Sequence, residues 1–329
     1  MHREFDIRNI ELNIGGYYNV KEVLTLFEEL EIYPALCIYD SIFDSPAGGG
    51  FTNRIVNEKI DIDKVDTEFL KLYDHLDMIN GRFDLIMTNY FYTLSDLHKD
   101  KRVLKILSAM NEKSYGGVIV VNKDIARYIL HNFSNLRIKW SITAGYRDKP
   151  KDRLSYINDI LSNTANIIVI PTEWNDDFDL LSKIEQPGSV EIMILDQCHK
   201  GCNFRKLHYT LTSANNYNII PPSESQMLAE NFFCQKIHKE INTNKCTLPT
   251  TECTYLSIYQ LANLYHDIGI KRWKIASRNF PTAQNDLFIC YLKNVLANCQ
   301  PSIYVKEYDR SDFLAQVKNM YGRMKNMTA

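Results

Sequence analysis

The chain has 329 residues, 45% hydrophobic and 24% charged, which is globular composition with enough apolar material for one large core. Its 38 basic and 40 acidic residues leave a formal charge of −2, so net charge does not indicate nucleic acid or an anionic membrane surface as a partner. Met1 to Asp6 lack a basic stretch leading into an apolar core, and no window approaches 18 uncharged apolar residues, which predicts a cytoplasmic protein with no membrane span.

Short β-rich runs alternate with helical stretches of about a dozen residues. In chain order the expected strands are Ile7 to Ile14, Ala35 to Ser41, Phe83 to Thr88, Gly117 to Val121, Leu136 to Ile142, Asn166 to Ile170, Val190 to Leu195, and Arg272 to Ala276. Among the intervening segments, Val20 to Leu30 and Leu94 to Met110 place apolar residues near i, i+3, i+4 and i+7, the spacing of amphipathic helices. Repeated strand–helix alternation requires parallel strands, and eight of them close most naturally into a (β/α)8 TIM-like barrel, here one domain over 1–329. An open doubly wound sheet is the alternative, but Gly15-Gly16 after the first strand is not the Gly-x-Gly-x-x-Gly of a dinucleotide site.

Two connections exceed simple turns. One runs from Ile42 to about Ile62 through Ser45-Pro46-Ala47-Gly48-Gly49-Gly50 and reads as a lid, since it lacks the Lys-Ser/Thr of a phosphate loop. The other is a cysteine-rich insertion over 196–254, after the seventh strand. Both leave carboxyl ends of strands, where barrel active sites are built.

The insertion carries Cys198, Cys202, Cys234, Cys246 and Cys253, five of the chain's eight cysteines. In a reducing compartment clustered thiols are expected to bind metal or react rather than pair as disulfides. His199-Lys200-Gly201 between the first two makes a polar turn that a core strand would not contain. A Cys-x-x-x-Cys-x-x-Cys motif is absent because Arg205 holds its third position, and the spacings of the later cysteines do not suit a zinc ribbon. Irregular spacing is better tolerated by a four-thiolate iron–sulfur cluster.

Three segments then carry a resemblance. Glu191 to Cys198, followed by Cys202, Phe204-Arg205 and His208-Tyr209, is the first; Ile38-Tyr39-Asp40-Ser41 with Ser45-Pro46 and Gly48-Gly49-Gly50 is the second; Leu261 to Arg278, centred on Ile268-Gly269-Ile270, is the third. Together they resemble the collagenase-like peptidase family, peptidase family U-32, over roughly 5–298. The resemblance implies a TIM-like barrel, and its iron–sulfur-binding members imply a 4Fe-4S cluster. Carried over, it gives Cys198, Cys202, Cys234 and Cys253 as ligands, with Cys246 competing for the fourth place. Asp196-Gln197, Asn203, Ile258, Tyr259 and Ser277 depart from the family pattern and bear on the substrate more than on the cluster.

The expected function is an iron–sulfur redox enzyme, carrying out oxygen-independent hydroxylation or a related modification of a small molecule or RNA. It would be served by an electron-transfer partner. A non-catalytic partner subunit with a structural cluster, working beside a homologous second subunit, is the opposite class, and a peptidase is the third. Against the last, neither Gly-x-Ser-x-Gly nor His-Glu-x-x-His occurs. Arg278, after the last strand, is a candidate bidentate clamp, and Glu173, after the sixth, a candidate base. His199 and His208 flank the thiols, Asn89 is a candidate polar contact, and Trp174 and Trp273 read as rim packing.

Overall fold

Alternate residues of a strand point to opposite faces, so a closed sheet turns one set of side chains inward and the other toward surrounding helices. The computed structural model describes residues 7–16, 20–31, 33–42, 45–48, 71, 76, 81–114, 116–195, 205–220 and 265–275. Its strands are β1 (Glu11–Gly15), β2 (Ala35–Asp40), β3 (Arg82–Met87), β4 (Gly116–Val120), β5 (Arg137–Trp140), β6 (Ile167–Val169), β7 (Val190–Leu195) and β8 (Arg272–Ile275). They form a closed barrel in sequence order. All pairs are parallel, and β1 closes against β8 with Leu12 beside Trp273. The expected (β/α)8 barrel is thus the observed architecture.

The helices among the described residues include α1 (Val20–Leu30), α2 (Leu94–Lys99), α3 (Lys101–Lys113), α4 (Lys123–Asn132), α5 (Ile142–Asp148), α6 (Arg153–Asn163), α7 (Phe178–Leu181) and α8 (Arg205–Asn216). The outward strand residues, including Leu12, Ile38, Leu85, Val118, Ile138, Ile192 and Trp273, share one core with Phe27 of α1, Ile106 of α3, Ile129 of α4 and Ile160 of α6. Burying such a side chain stabilises by about 1.5–3 kcal/mol, so this outer layer is where the fold gains most of its stability.

Three boundaries differ from the sequence reading. Ile7–Asn9 is a single 3-10 turn, and β1 begins at Glu11. The helix expected over Leu94 to Met110 is broken at Asp100, whose backbone N–H closes α2 while its carboxylate accepts from Val103 N to start α3; a residue that caps both ways cannot continue a helix. The insertion after β7 is not loop throughout, because Arg205–Asn216 is helical. Trp174 and Trp273 lie in the core rather than on the rim.

Candidate functional site

The barrel interior is tiered. On the inward face, Glu11 and Asn13 of β1, Asp84 of β3, Arg137 and Lys139 of β5, Glu191 of β7 and Arg272 and Lys274 of β8 form a continuous ionic ladder. Lys139 Nζ lies 2.7 Å from Asp84 Oδ2 and 2.5 Å from Glu191 Oε2, and donates to Asn13 Oδ1 at 2.8 Å. Arg137 pairs with Asp84 at 3.2 Å and with Glu11 at 3.0 Å, and Glu11 also meets Arg272 at 2.5 Å. Lys274 Nζ is 3.6 Å from Glu191 Oε1 and sits 3.5 Å from the centroid of the Tyr39 ring.

These charges fix one another's protonation. Burial alone would raise the pKa of Asp84, but Arg137 and Lys139 outweigh it and hold the carboxyl far below the usual range. Burial opposes ionisation of Glu11 too, yet Arg137, Lys139 and Arg272 bring it down to about 2. Lys139 is raised above the ordinary lysine value, since Asp84 and Glu191 overcome the desolvation that would lower it. It is a held ammonium, not a nucleophile. Gly117 of β4 is required here: a Cβ would stand 2.5 Å from Arg137 Cγ, 2.6 Å from Asp84 Oδ1 and 2.8 Å from the Arg137 carbonyl.

Two residues further along the strands the interior turns apolar. Tyr39, Ile86 and Ile119 form one small cluster, and Val169 and Met193 join Ile142 in another. Each lies on the carboxyl-terminal side of a ladder residue of its own strand or of a neighbour, so the ladder is separated from the mouth by an apolar tier. Tyr39 reaches across that tier, donating its hydroxyl to the Ile275 carbonyl at 2.6 Å.

At the mouth, elements following β5, β6 and β7 converge. Tyr146 of α5 donates to Glu173 Oε2 at 2.7 Å, while its hydroxyl accepts from Thr172 N at 3.1 Å and from Arg205 NH1 at 2.6 Å. Arg205 also donates to Thr172 Oγ1 at 3.2 Å, lies 3.8 Å from Glu173 Oε1 and stacks 4.7 Å from the Tyr146 ring centroid. The Arg205 side chain is only 1% exposed and that of Glu173 is 26% exposed. From this hub α8 runs to the opposite side of the barrel. There the Ser213 carbonyl accepts from Asn89 Nδ2, after β3, at 2.9 Å, and Asn216 Nδ2 donates to the Gly48 carbonyl, after β2, at 3.0 Å. A straight helix of 12 residues is about 18 Å long. Joining the β5–β6 side to the β2–β3 side, it is a chord over the mouth.

Of the residues singled out by sequence, Glu173 lies in the hub, Asn89 anchors α8, and His208 stacks on Tyr209 beside it. Cys198, Cys202, Cys234, Cys246, Cys253, His199 and Arg278 lie outside the described residues. Among the described residues, no group of three or more His, Cys, Asp or Glu could hold a metal ion, and no helix is long and apolar enough to cross a membrane. Cys37 is the described cysteine; it is buried, and burial and then Asp84 push its thiol well up, so it is a neutral packing group accepting from Arg137 at 3.1 Å.

The ladder is the feature that sequence reasoning missed. Its signal is the alternation Arg137-Ile138-Lys139-Trp140 and Arg272-Trp273-Lys274-Ile275, which is ordinarily taken for a solvent-facing edge. No family model matches the sequence, and comparison with curated proteins finds no match. Among solved structures the chain is similar to that of the U32 peptidase Mk0906, with a TM-score of 0.51 and 11% identity over 82% of this chain and 92% of that one. The barrel is U32-like in fold. At that identity the likeness concerns architecture, and the site must be argued from its own residues.

Proposed function

We propose that the protein is an iron–sulfur redox enzyme holding a 4Fe-4S cluster on Cys198, Cys202, Cys234 and Cys253, and that it performs an oxygen-independent hydroxylation or related modification with electrons from a partner protein. The observation that carries this reading is the sequence position of two of those thiols. Cys198 and Cys202 fall between Leu195, the end of β7, and Arg205, which is tied into the mouth hub. Thiolates are the donors that iron–sulfur clusters require, and barrel chemistry is built at the carboxyl-terminal end.

When bound, the cluster supplies single-electron transfer. The hub supplies what protein groups can: Glu173, partly exposed and accepting from Tyr146, is the carboxylate placed at the mouth as general base, and Tyr146 and Thr172 accept from Arg205 beside it. Arg278, beyond β8, is proposed as a substrate clamp. The test is reductive titration of anaerobically purified protein: a broad visible absorption that bleaches with dithionite and returns on reoxidation supports the reading. A protein colourless after anaerobic purification and anaerobic reconstitution with iron and sulfide refutes it.

The name of the similar solved structure favours a peptidase as the second reading. Cys37 does not serve it, being a buried neutral thiol. Peptide cleavage that persists after complete removal of iron would establish this reading in place of the first.

A further inference from the structure

The helices around the barrel bury apolar stripes: α3 turns Val103, Ile106, Leu107 and Met110 inward, and α4 turns Ile125, Ala126 and Ile129. α8 is inverted. Its buried residues are Arg205, Thr212, Ser213, Ala214 and Asn216, while Leu207 is 47% exposed and Ile219, just past its end, is 52% exposed. Among the described residues its apolar hold is smaller than the stripes of α3 and α4: Ala214 is buried, the Tyr209 ring lies 6.0 Å from that of Tyr146, and Tyr217, just past its end, packs against the core.

Polar ties near its two ends add to that hold. At one end are the Arg205 bonds to Tyr146 and Thr172 and the Lys206 Nζ bond to the Arg147 carbonyl at 3.0 Å. At the other are Asn89 to the Ser213 carbonyl and Asn216 to the Gly48 carbonyl. A buried aliphatic side chain contributes about twice what a net hydrogen bond does, because water replaces the hydrogen bond when the contact opens and nothing replaces the hydrophobic term. Ser213 is buried, and its Oγ has no hydrogen-bond partner, so the underside of the helix is not even saturated in its closed position.

We propose that α8 is a strap that lifts from the mouth as a unit under native conditions, unlatching at the Arg205–Tyr146 end and the Asn216–Gly48 end while the barrel stays folded. Elements held by few buried apolar contacts open sub-globally at low cost, and barrels whose chemistry is sequestered need such a step for ligand entry. The inference does not depend on the cluster.

Amide hydrogen exchange on the full chain tests it. In the wild type, amides of α8 exchange at least about tenfold faster than those of α3 and β3. Tyr146→Phe and Asn216→Ala, at opposite ends, each speed α8 exchange by about another tenfold, the worth of one well-made hydrogen bond, and leave α3 and α4 unchanged. Asn216→Ala also raises helix propensity, so faster exchange in that variant reports unlatching and not local fraying. The strap is refuted if α8 amides are as protected as those of β3, or if either variant accelerates α3 and α4 in step with α8.

Discussion

Lys139→Met removes the cation at the centre of the ladder while keeping an unbranched side chain of similar volume. The ammonium has three hydrogens and three partners, Asp84, Glu191 and Asn13. After the change Asp84 keeps Arg137 at 3.2 Å, but Glu191, fully buried, keeps among the described residues only Lys274 as an ion-pair partner, at 3.6 Å. Breaking a buried pair by deleting one partner costs about 3–5 kcal/mol because the other charge is stranded. At about 2.1 cal/mol/K of unfolding entropy per residue, that lowers Tm by roughly 4–7 °C for a chain of this size. Adding Glu191→Gln removes the stranded charge and recovers part of the loss. Urea denaturation followed by circular dichroism at pH 7 reads both the loss and the recovery. A single variant within about 1 kcal/mol of wild type, or a double variant no better than the single, would refute the ladder as a coupled network.

Other outcomes follow from the same contacts. Gly117→Ala should destabilise by about 2–3 kcal/mol in the same assay, because one of the three clashing atoms is the Arg137 carbonyl and cannot rotate away. Glu11 has a folded pKa depressed from 4.5 to about 2, so it contributes stability that is complete above pH 4.5 and lost as pH falls toward 2, about 3 kcal/mol in total; Glu11→Gln should flatten that part of the stability–pH curve. Cys253→Ala should lose most bound iron after anaerobic purification and Cys246→Ala should retain it, the reverse transferring the fourth ligand to Cys246. Arg278→Lys should lower activity while iron content and Tm hold, since it keeps the charge and loses the fork; loss of fold would make the residue structural.

The barrel was legible because each strand's outward face, such as Leu12-x-Ile14 or Val118-x-Val120, is β-branched or aliphatic and each intervening stretch has helical spacing. The interior was not. Charged residues alternating with apolar ones along a strand normally mark water on one face, and only closure of the sheet converts Arg137, Lys139 and Lys274 from surface to centre. Closure is a non-local property that no single strand announces. The mouth hub was half legible: Glu173 stood out by its place after the sixth strand. Its engagement by Tyr146 and Arg205 depends on α8 crossing from a segment read as loop, and a helix with an inward polar face gives no amphipathic signal pointing at the core.

The central claim is most directly tested by counting iron and acid-labile sulfide in anaerobically purified protein, beside the Cys198→Ala/Cys202→Ala double variant. The account predicts about four irons and four sulfides per chain in the wild type, the content of one cubane cluster, and near-complete loss of both in the variant with the barrel still folded. Stoichiometric zinc without sulfide, or equal iron and sulfide in the two proteins, would contradict it.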